Sequence, residues 1–221
     1  MVIKKIDIAQ QAARLLQPFQ MAHLGYVDDF AVSVFICQGT LDWHRHIDRD
    51  ELFLVQSGVI NLETEWGNVR LRPDEMAVVP KGVKHRSSSF LWSVVLLFQP
   101  QIMAHRKNGD RRVDAPPEGK ALHKVNVIQA VRESKFPFQP LDLVTVDDGV
   151  MRLLFVRGKE RYQDSGTRDK LFLVFEGEVS LDMRQGDVNL QAGEMIIIPK
   201  GMLYRLASLE EAIVLLFEKK S

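Results

Sequence analysis

The sequence contains a single cysteine, Cys37, and this scarcity excludes whole classes of protein. One cysteine can form neither an intramolecular disulfide nor a cysteine-based zinc cluster. Long apolar runs are also missing, because no stretch approaches the roughly 20 apolar residues of a membrane-spanning helix. The N-terminal residues have no apolar core of the kind that signal peptides carry. We therefore expect a protein of the reducing cytoplasm that has no membrane partner.

An excess of either charge is absent as well. Lys and Arg together number 29, Asp and Glu also number 29, and the formal net charge is zero. A protein that binds nucleic acid or anionic lipid over a broad surface usually carries a basic excess. The composition therefore predicts that nucleic acid is not a partner. The length of 221 residues fits either one large domain or two small ones.

An internal repeat favours two domains. The chain aligns with itself without a gap at an offset of 119 residues, the separation between Gly58 and Gly177. Identical or nearly identical segments at this offset are residues 18–20 and 137–139, 27–29 and 146–148, 52–55 and 171–174, 75–76 and 194–195, and 80–82 and 199–201. Each copy has the size of a small domain. We predict domains at residues 1–105 and 121–221, joined by a charged and then Pro/Gly-rich linker at 106–120.

Each copy consists mainly of short segments rich in Val, Ile and Phe that are separated by turn residues. In the first copy these segments are residues 31–37, 51–56, 59–65 and 76–79. Such a pattern predicts an all-β sandwich or small barrel. Good helix formers at residues 8–16, which stop before Pro18, predict one short helix at the start of each copy.

Four residues of the first copy have the chemistry of metal ligands. His44 and His46 are two residues apart, so on a strand both imidazoles would face the same side. The polar residues 47–50 can turn the chain and bring Glu51 in from a neighbouring strand, and His85 follows the turn at residues 80–82. Three imidazoles and one carboxylate suit a single divalent iron, manganese, nickel, cobalt or zinc ion. Octahedral coordination would leave two positions open for a substrate.

The order of these residues resembles the two motifs of the cupin superfamily. The first motif is represented by Gly39, His44, His46, Glu51 and Gly58, and the second by Pro80, Gly82 and His85. The resemblance covers both copies and implies two tandem jelly-roll β-barrels with a metal ion inside one of them. Two departures concern turn geometry and pocket polarity: Asp74 replaces the usual glycine of the second motif, and Ser89 replaces a frequent asparagine.

The second copy has lost all four candidate ligands. Gln163 replaces His44, Ser165 replaces His46, Lys170 replaces Glu51, and Tyr204 replaces His85. An ammonium group cannot ligate a cation. We therefore predict a degenerate second domain that keeps the fold, lacks the metal and has a structural role. An alternative is an anion or ligand pocket built from Lys170, Tyr204 and Gln163.

Other residues near the candidate ligands have simpler interpretations. Strand alternation predicts that Arg45 points away from the interior. Glu63 is expected on a solvated strand face, and Phe35 and Phe53 are expected in the core or at an interface. Cys37 lies in an apolar strand and is interpreted as a small buried hydrophobic residue.

Three classes of function remain open. The first is a metal-dependent enzyme on a small polar metabolite, where the resemblance slightly favours a dioxygenase over a sugar isomerase, an epimerase or a lyase. The second is a non-catalytic module that binds or senses a small ligand, and the third is a purely structural protein. The structural class explains poorly why one copy has a complete ligand set and the other has none. No side chain is identified as a general acid or base, and a homodimer is possible.

Overall fold

A computed structural model describes residues 3–101, 121–133 and 136–220, so the predicted linker at 106–120 lies outside the described residues. Within these residues the protein is mainly β, as predicted. The strands of the first repeat are β1 Ile6–Asp7, β2 Met21–Val27, β3 Phe30–Thr40, β4 Glu51–Ser57, β5 Ile60–Thr64, β6 Gly67–Leu71, β7 Glu75–Val79 and β8 His85–Pro100. Those of the second are β9 Lys124–Asn126, β10 Leu141–Val146, β11 Gly149–Lys159, β12 Gln163–Asp164, β13 Lys170–Glu176, β14 Glu178–Met183, β15 Val188–Gln191, β16 Glu194–Ile198 and β17 Leu203–Lys219.

Each repeat begins with one short helix, as the sequence predicts. Helix α1 spans Ile8–Ala12 and helix α2 spans Val127–Val131. The first helix is shorter than the expected 8–16, because the Gln20 side chain accepts hydrogen bonds from the backbone N–H groups of Leu16 and Gln17 and draws the chain out of the helix. No helix within the described ranges is long and apolar enough to cross a membrane.

The strands form two antiparallel sheets with the same internal order. The first sheet runs β2-β3-β8-β4-β7-β9, with β5 pairing with β6 and β8. The second runs β1-β16-β13-β17-β11-β10, with β14 pairing with β15 and β17, and β12 with β17. No pairing among the described residues joins the two ends of either sheet. The prediction of two closed barrels is therefore not confirmed, because the hydrogen-bonded ladders stay open.

Backbone contacts divide the chain into two compact units. The first unit comprises residues 12–24, 29–101 and 121–127, and the second comprises residues 3–11, 25–28, 128–133 and 136–220. In the first unit one buried apolar core contains Phe35 of β3, Phe53 and Val55 of β4, Ile60 and Leu62 of β5, and Val95 and Leu97 of β8. The long strand β8 pairs with β3, β4 and β5, and this central position fixes His85 at its first residue.

The short strand at the start of each repeat pairs with a strand of the other repeat. Strand β1 lies beside β16 in the second unit, and β9 lies beside β7 in the first. An ion pair accompanies each pairing: Lys5 with Glu194 at 2.8 Å, and Lys124 with Glu75 at 2.8 Å. Because the repeats exchange these short strands, the compact units differ from the predicted ranges 1–105 and 121–221. The domain boundary in the linker stays a prediction.

The turn between β4 and β5 depends on Gly58. Its φ is +79°, a left-handed backbone conformation that favours glycine. A Cβ placed there would lie 2.2 Å from Ser93 Oγ and 2.8 Å from Ser93 Cα. The same Ser93 hydroxyl accepts a hydrogen bond from Val59 N at 3.0 Å and contacts Ser89 Oγ at 2.9 Å. Ser89 therefore supports this turn at the position where the cupin motif often has asparagine.

A Gly58→Ala variant is expected to be destabilised by about 2–4 kcal/mol, because left-handed strain and a backbone collision add. Gly158→Ala is a matched control, since its φ is +80° but nothing lies within 4 Å of an added Cβ. The control should lose only about 1 kcal/mol. Urea unfolding of both variants measures the difference, and equal losses would show that the Ser93 contact adds nothing.

Candidate metal centre

Three chain segments present the candidate ligands. His44 and His46 lie between β3 and β4, Glu51 is the first residue of β4, and His85 is the first residue of β8. His44 is not on a regular strand, as its spacing from His46 suggested, but forms an isolated bridge with His85. The two residues exchange backbone hydrogen bonds of 3.0 and 2.9 Å. Glu51 does enter from a neighbouring strand, as predicted.

Two further hydrogen bonds fix the ligand-bearing loop to the turn before β8. His46 O accepts a bond of 2.7 Å from Gly82 N. The Asp50 carboxylate accepts a bond of 2.8 Å from Lys81 N. The turn residues of the second cupin motif therefore position the histidines of the first motif.

The structure brings the four side chains together. One ligand atom from each of His44, His46, Glu51 and His85 lies within 4.8 Å of all the others. Glu51 Oε1 is 3.3 Å from His46 Nε2, and Glu51 Oε2 is 3.0 Å from His85 Nε2. Two ligands at right angles on bonds of about 2.1 Å would be separated by about 3 Å. The cluster therefore has the dimensions of a coordination sphere and could hold a metal ion.

The hydrogen bonds of two imidazoles fix which nitrogen faces the centre. His44 Nδ1 lies 2.9 Å from Asp42 O, and His85 Nδ1 lies 3.0 Å from Val83 O. A carbonyl oxygen only accepts, so each Nδ1 carries the proton and donates it. Each Nε2 then has a lone pair, which is the state that a metal ligand needs.

The buried atoms of the cluster also indicate a cation. Glu51 Oε2 and His85 Nε2 are both buried without a hydrogen-bond partner. With the His85 proton on Nδ1, these atoms are two acceptors that face each other, an arrangement that is costly unless a cation lies between them. Burial lowers the pKa of His46 and so favours its neutral, ligating form.

The cluster lies at the polar side of a cavity of about 240 Å³. The remaining walls are mostly apolar and come from Phe19, Met21, Phe35, Leu41, Phe53 and Leu97. Phe35 and Phe53 are thus core residues, as predicted, that also line this space. A cavity of about 150 Å³ holds a benzene molecule. The space therefore suits a ligand with one aromatic ring.

Sequence reasoning missed two polar residues of the cavity, Arg49 and Gln99. Both line it, and Arg49 Nε donates a hydrogen bond of 3.2 Å to Gln99 Oε1. The Arg49 side chain is only 16% exposed. Its positive charge contributes to the lowered pKa values of His46 and Glu51. Arg49 is therefore a largely buried cation that lines the cavity with the candidate ligands and also pairs with the Asp48 carboxylate at 3.6 Å.

Three neighbouring residues behave as expected. Arg45 is exposed, and Glu63 lies on the outer face of the sheet, where it pairs with Arg86 at 2.7 Å. Cys37 is fully buried, and this burial raises the pKa of its thiol to about 11. The thiol is therefore protonated at neutral pH and is a poor nucleophile.

The four equivalent positions of the second unit form no such cluster. The Ser165 hydroxyl is used by the backbone, since it donates to Pro199 O and accepts from Met202 N, both at 2.8 Å. Tyr204 is buried in the apolar core against Phe172, whereas Gln163 is exposed. Lys170 is engaged by Glu218 in an ion pair. These contacts favour a structural role for the four positions over a ligand pocket.

Comparison with known proteins supports these observations. Residues 19–90 match the family model described as the N-terminal part of homogentisate 1,2-dioxygenase. The Bacillus subtilis protein YdbB is 34% identical over 71 residues, which are 32% of this chain and 63% of that protein. The family-model match falls on the first repeat, and the chain spans less than two thirds of the length of the Bacillus relative.

Solved structures match over the whole chain. A cupin 2 conserved barrel domain protein from Leptotrichia buccalis has a TM-score of 0.75 at 11% identity, covering 100% of this chain and 98% of that one. Salicylate 1,2-dioxygenase from Pseudaminobacter salicylatoxidans has a TM-score of 0.76 at 11% identity, covering 99% of this chain and 84% of that one. At such low identity the likeness concerns the fold. The chain therefore has the cupin fold.

Proposed function

We propose that this protein is a bicupin whose first domain binds one divalent metal ion through His44, His46, Glu51 and His85. We further propose that it is an oxygenase for a small hydroxylated aromatic acid, and that the second domain is degenerate and lacks a metal. The observation that carries the proposal is the convergence of four metal-ligating atoms at the wall of an apolar cavity. One matched family model and one structure of similar fold carry the names of homogentisate and salicylate, which are acids of this class.

The side chains around the centre have distinct tasks in this proposal. A bound divalent metal would act as a Lewis acid and, if it is iron, supply redox chemistry with dioxygen. The protein itself orients His44 and His85 through their bonds to backbone carbonyls. The aromatic and aliphatic walls exclude water and hold the substrate ring, which strengthens the electrostatic interactions inside.

Arg49 gives the cavity a preference for acids. A buried guanidinium attracts a carboxylate and donates hydrogen bonds to it, an interaction worth about 1.5–3 kcal/mol. Arg49 lines the same cavity as Glu51 and His46. A ring carboxylate at Arg49 would therefore direct the hydroxyl-bearing part of the substrate to the metal.

The function is tested by metal analysis followed by oxygen uptake. Protein purified without chelators is analysed for transition metals, then loaded with iron(II) and mixed with salicylate, homogentisate or 2,5-dihydroxybenzoate. We expect one dioxygen consumed for each ring opened: both oxygen atoms enter the product, one ring carbon–carbon bond breaks, and no external reductant is used. Benzoate, which lacks a hydroxyl group, is the negative control.

The other classes predict different outcomes of the same experiment. Zinc or manganese in the purified protein, with no oxygen uptake by the iron form, would overturn the oxygenase proposal and favour an isomerase or lyase. Stabilisation by an aromatic acid without any product would indicate a binding module. Absence of every transition metal, even after reconstitution, would overturn the metal centre itself.

Arg49→Ala is expected to weaken the binding of salicylate to the metal-loaded protein by about 10- to 100-fold, because a charged hydrogen bond is lost. Arg45→Ala is the matched control, since Arg45 has the same charge four residues earlier and is exposed. Its effect should stay below about twofold. Calorimetric titration measures both, and equal effects of the two variants would exclude Arg49 as the carboxylate anchor.

The assembly state stays a prediction. A homodimer would sediment at about twice the monomer mass of 25.3 kDa in analytical ultracentrifugation.

A further inference from the structure

A stack of three side chains lies on the outer face of the first unit. Arg86 donates two hydrogen bonds to Glu63 Oε2, from Nε at 3.0 Å and from Nη2 at 2.7 Å. The same guanidinium also lies over the Trp43 ring, with Cζ 4.9 Å from the ring centroid. Glu63 and Arg86 are also direct partners between β5 and β8. Ion pairing, cation–π contact and strand pairing thus coincide in the Trp43–Arg86–Glu63 stack.

Two members of the stack are chain neighbours of candidate ligands. Trp43 precedes His44, and Arg86 follows His85. Adjacent residues of an extended chain point to opposite faces. His85 is therefore buried toward the cavity with 1% exposure, whereas the Arg86 side chain lies outside with 32% exposure. The stack connects the backbones that carry His44 and His85 without entering the cavity.

The loop that carries His44 has few other attachments at this point. Its backbone meets β8 through the isolated bridge between His44 and His85 and through Leu41 N, which donates to Ser87 O at 3.0 Å. Trp43 is 40% exposed, and its ring contacts Arg86 and Lys84, whose Nζ is 5.8 Å from the ring centroid. Contact with Arg86 therefore restrains the residue immediately before a ligand.

The same stack recurs in the second unit, where the ligands are absent. Arg205 donates to Asp182 Oδ2 from Nε at 2.8 Å and from Nη2 at 2.7 Å, and its Cζ lies 4.4 Å from the Tyr162 ring centroid. These residues are 119 positions after Arg86, Glu63 and Trp43. Gln163 and Tyr204 pair there as His44 and His85 do in the first unit. The stack thus belongs to the framework that both repeats share, and only the first repeat has ligands attached to it.

We propose that Arg86 is a positioning residue of the metal centre, which holds His44 and His85 at coordination distance through the Trp43–Arg86–Glu63 stack. This inference rests on the proposed metal centre. Partners outside the ligand set that orient ligands typically change metal affinity by about 10- to 100-fold. The chain supplies its own control, because Arg205 has the same contacts and no ligands beside it.

Cobalt(II) is the probe, since its visible absorption reports on coordination geometry. Metal-free wild type, Arg86→Ala, Arg86→Lys and Arg205→Ala are titrated with cobalt(II), and the melting temperature of each metal-free protein is recorded. We expect the cobalt(II) dissociation constant of Arg86→Ala to rise by at least about tenfold, with an altered absorption band. Arg86→Lys should recover part of the affinity. Arg205→Ala should bind cobalt(II) as the wild type does while losing a similar amount of thermal stability.

Two results would overturn the inference while leaving the metal centre intact: wild-type affinity in Arg86→Ala, or an equal loss of affinity in Arg205→Ala. A wild-type protein that does not bind cobalt(II) would instead overturn the proposed metal centre. If Arg86→Ala does not fold, Trp43→Leu takes its place, because it removes the cation–π contact and keeps the ion pair with Glu63. The same tenfold rise is then expected, and unchanged affinity contradicts the role.

Discussion

His46→Ala protein is expected to bind divalent metal at least about 100-fold more weakly than the wild type, and to lose the proposed oxygenase activity in parallel. Removing a ligand should cost more than removing a partner that only orients one, for which losses of about 10- to 100-fold are typical. The side chain of His46 is 23% exposed, so its truncation creates no fully buried void. Metal content after purification and cobalt(II) titration measure the effect, while far-UV circular dichroism checks the fold.

Gln163→Ala is the control for this experiment. Gln163 stands where the second repeat replaces His44, and it is exposed, so the substitution tests loss of a polar side chain in the same framework. Its metal content and activity should match the wild type. Retention of metal and activity in His46→Ala would show that the four side chains converge for a reason other than metal binding.

The second large effect concerns stability and lies in the second unit. Glu218→Ala is expected to lower the free energy of unfolding by about 3–5 kcal/mol, which is typical when one partner of a buried ion pair is removed. Glu218 pairs with both Lys170 and Arg152, and the side chains of Lys170 and Glu218 are 15% and 11% exposed. Arg152 retains Asp142 as a partner at 2.6 Å, whereas the Lys170 ammonium is left without its carboxylate. Urea unfolding measures the loss.

Glu211→Ala provides the comparison on the same strand. Glu211 pairs with Arg157 at 3.1 Å, but these side chains are 64% and 65% exposed. Exposed pairs contribute little, so the change should stay within about 0.5 kcal/mol. The double variant Lys170→Met/Glu218→Ala should regain much of the stability, because it also removes the stranded charge. A loss in Glu218→Ala no larger than that in Glu211→Ala would contradict a buried ion pair.

This ion pair stands at positions that correspond to residues of the candidate metal centre and its cavity in the first unit. Lys170 aligns with the ligand Glu51, and Glu218 aligns with the cavity residue Gln99. In the second unit this position carries the positive charge of the Lys170 ammonium, and the Glu218 carboxylate of β17 neutralises it. The charge is therefore balanced within the protein itself.

The sequence allowed prediction of the candidate ligands because their signals are local. A two-residue spacing of histidines, a following glutamate and a turn before His85 suffice to suggest one site. Arg49 could not be assigned, since residues 47–50 form a polar turn in which strand alternation gives no direction. Gln99 is separated from His85 by an even number of positions along β8, which weakly predicts that both side chains lie on the same face. The neighbours of Gln99 are apolar core residues, however, and they hide this signal.

The exchange of short strands could not be predicted for a different reason. Strands β1 and β9 have only two and three residues, too few for a periodic pattern. Their partners begin with the same dipeptide, Glu75-Met76 in one repeat and Glu194-Met195 in the other. The sequence is therefore compatible both with pairing within a repeat and with pairing between repeats, and only the tertiary structure distinguishes the two.

The exchange of β1 and β9 makes the halves of the protein mutually dependent during evolution. After gene duplication, a copy that lost its ligands would ordinarily be free to disappear by deletion. Here that deletion would remove β9, whose backbone completes the edge of the sheet beside β7, and with it the ion pair between Lys124 and Glu75. Selection on the repeat with the candidate metal centre would therefore also act on the second repeat, because the second repeat supplies a strand to its sheet.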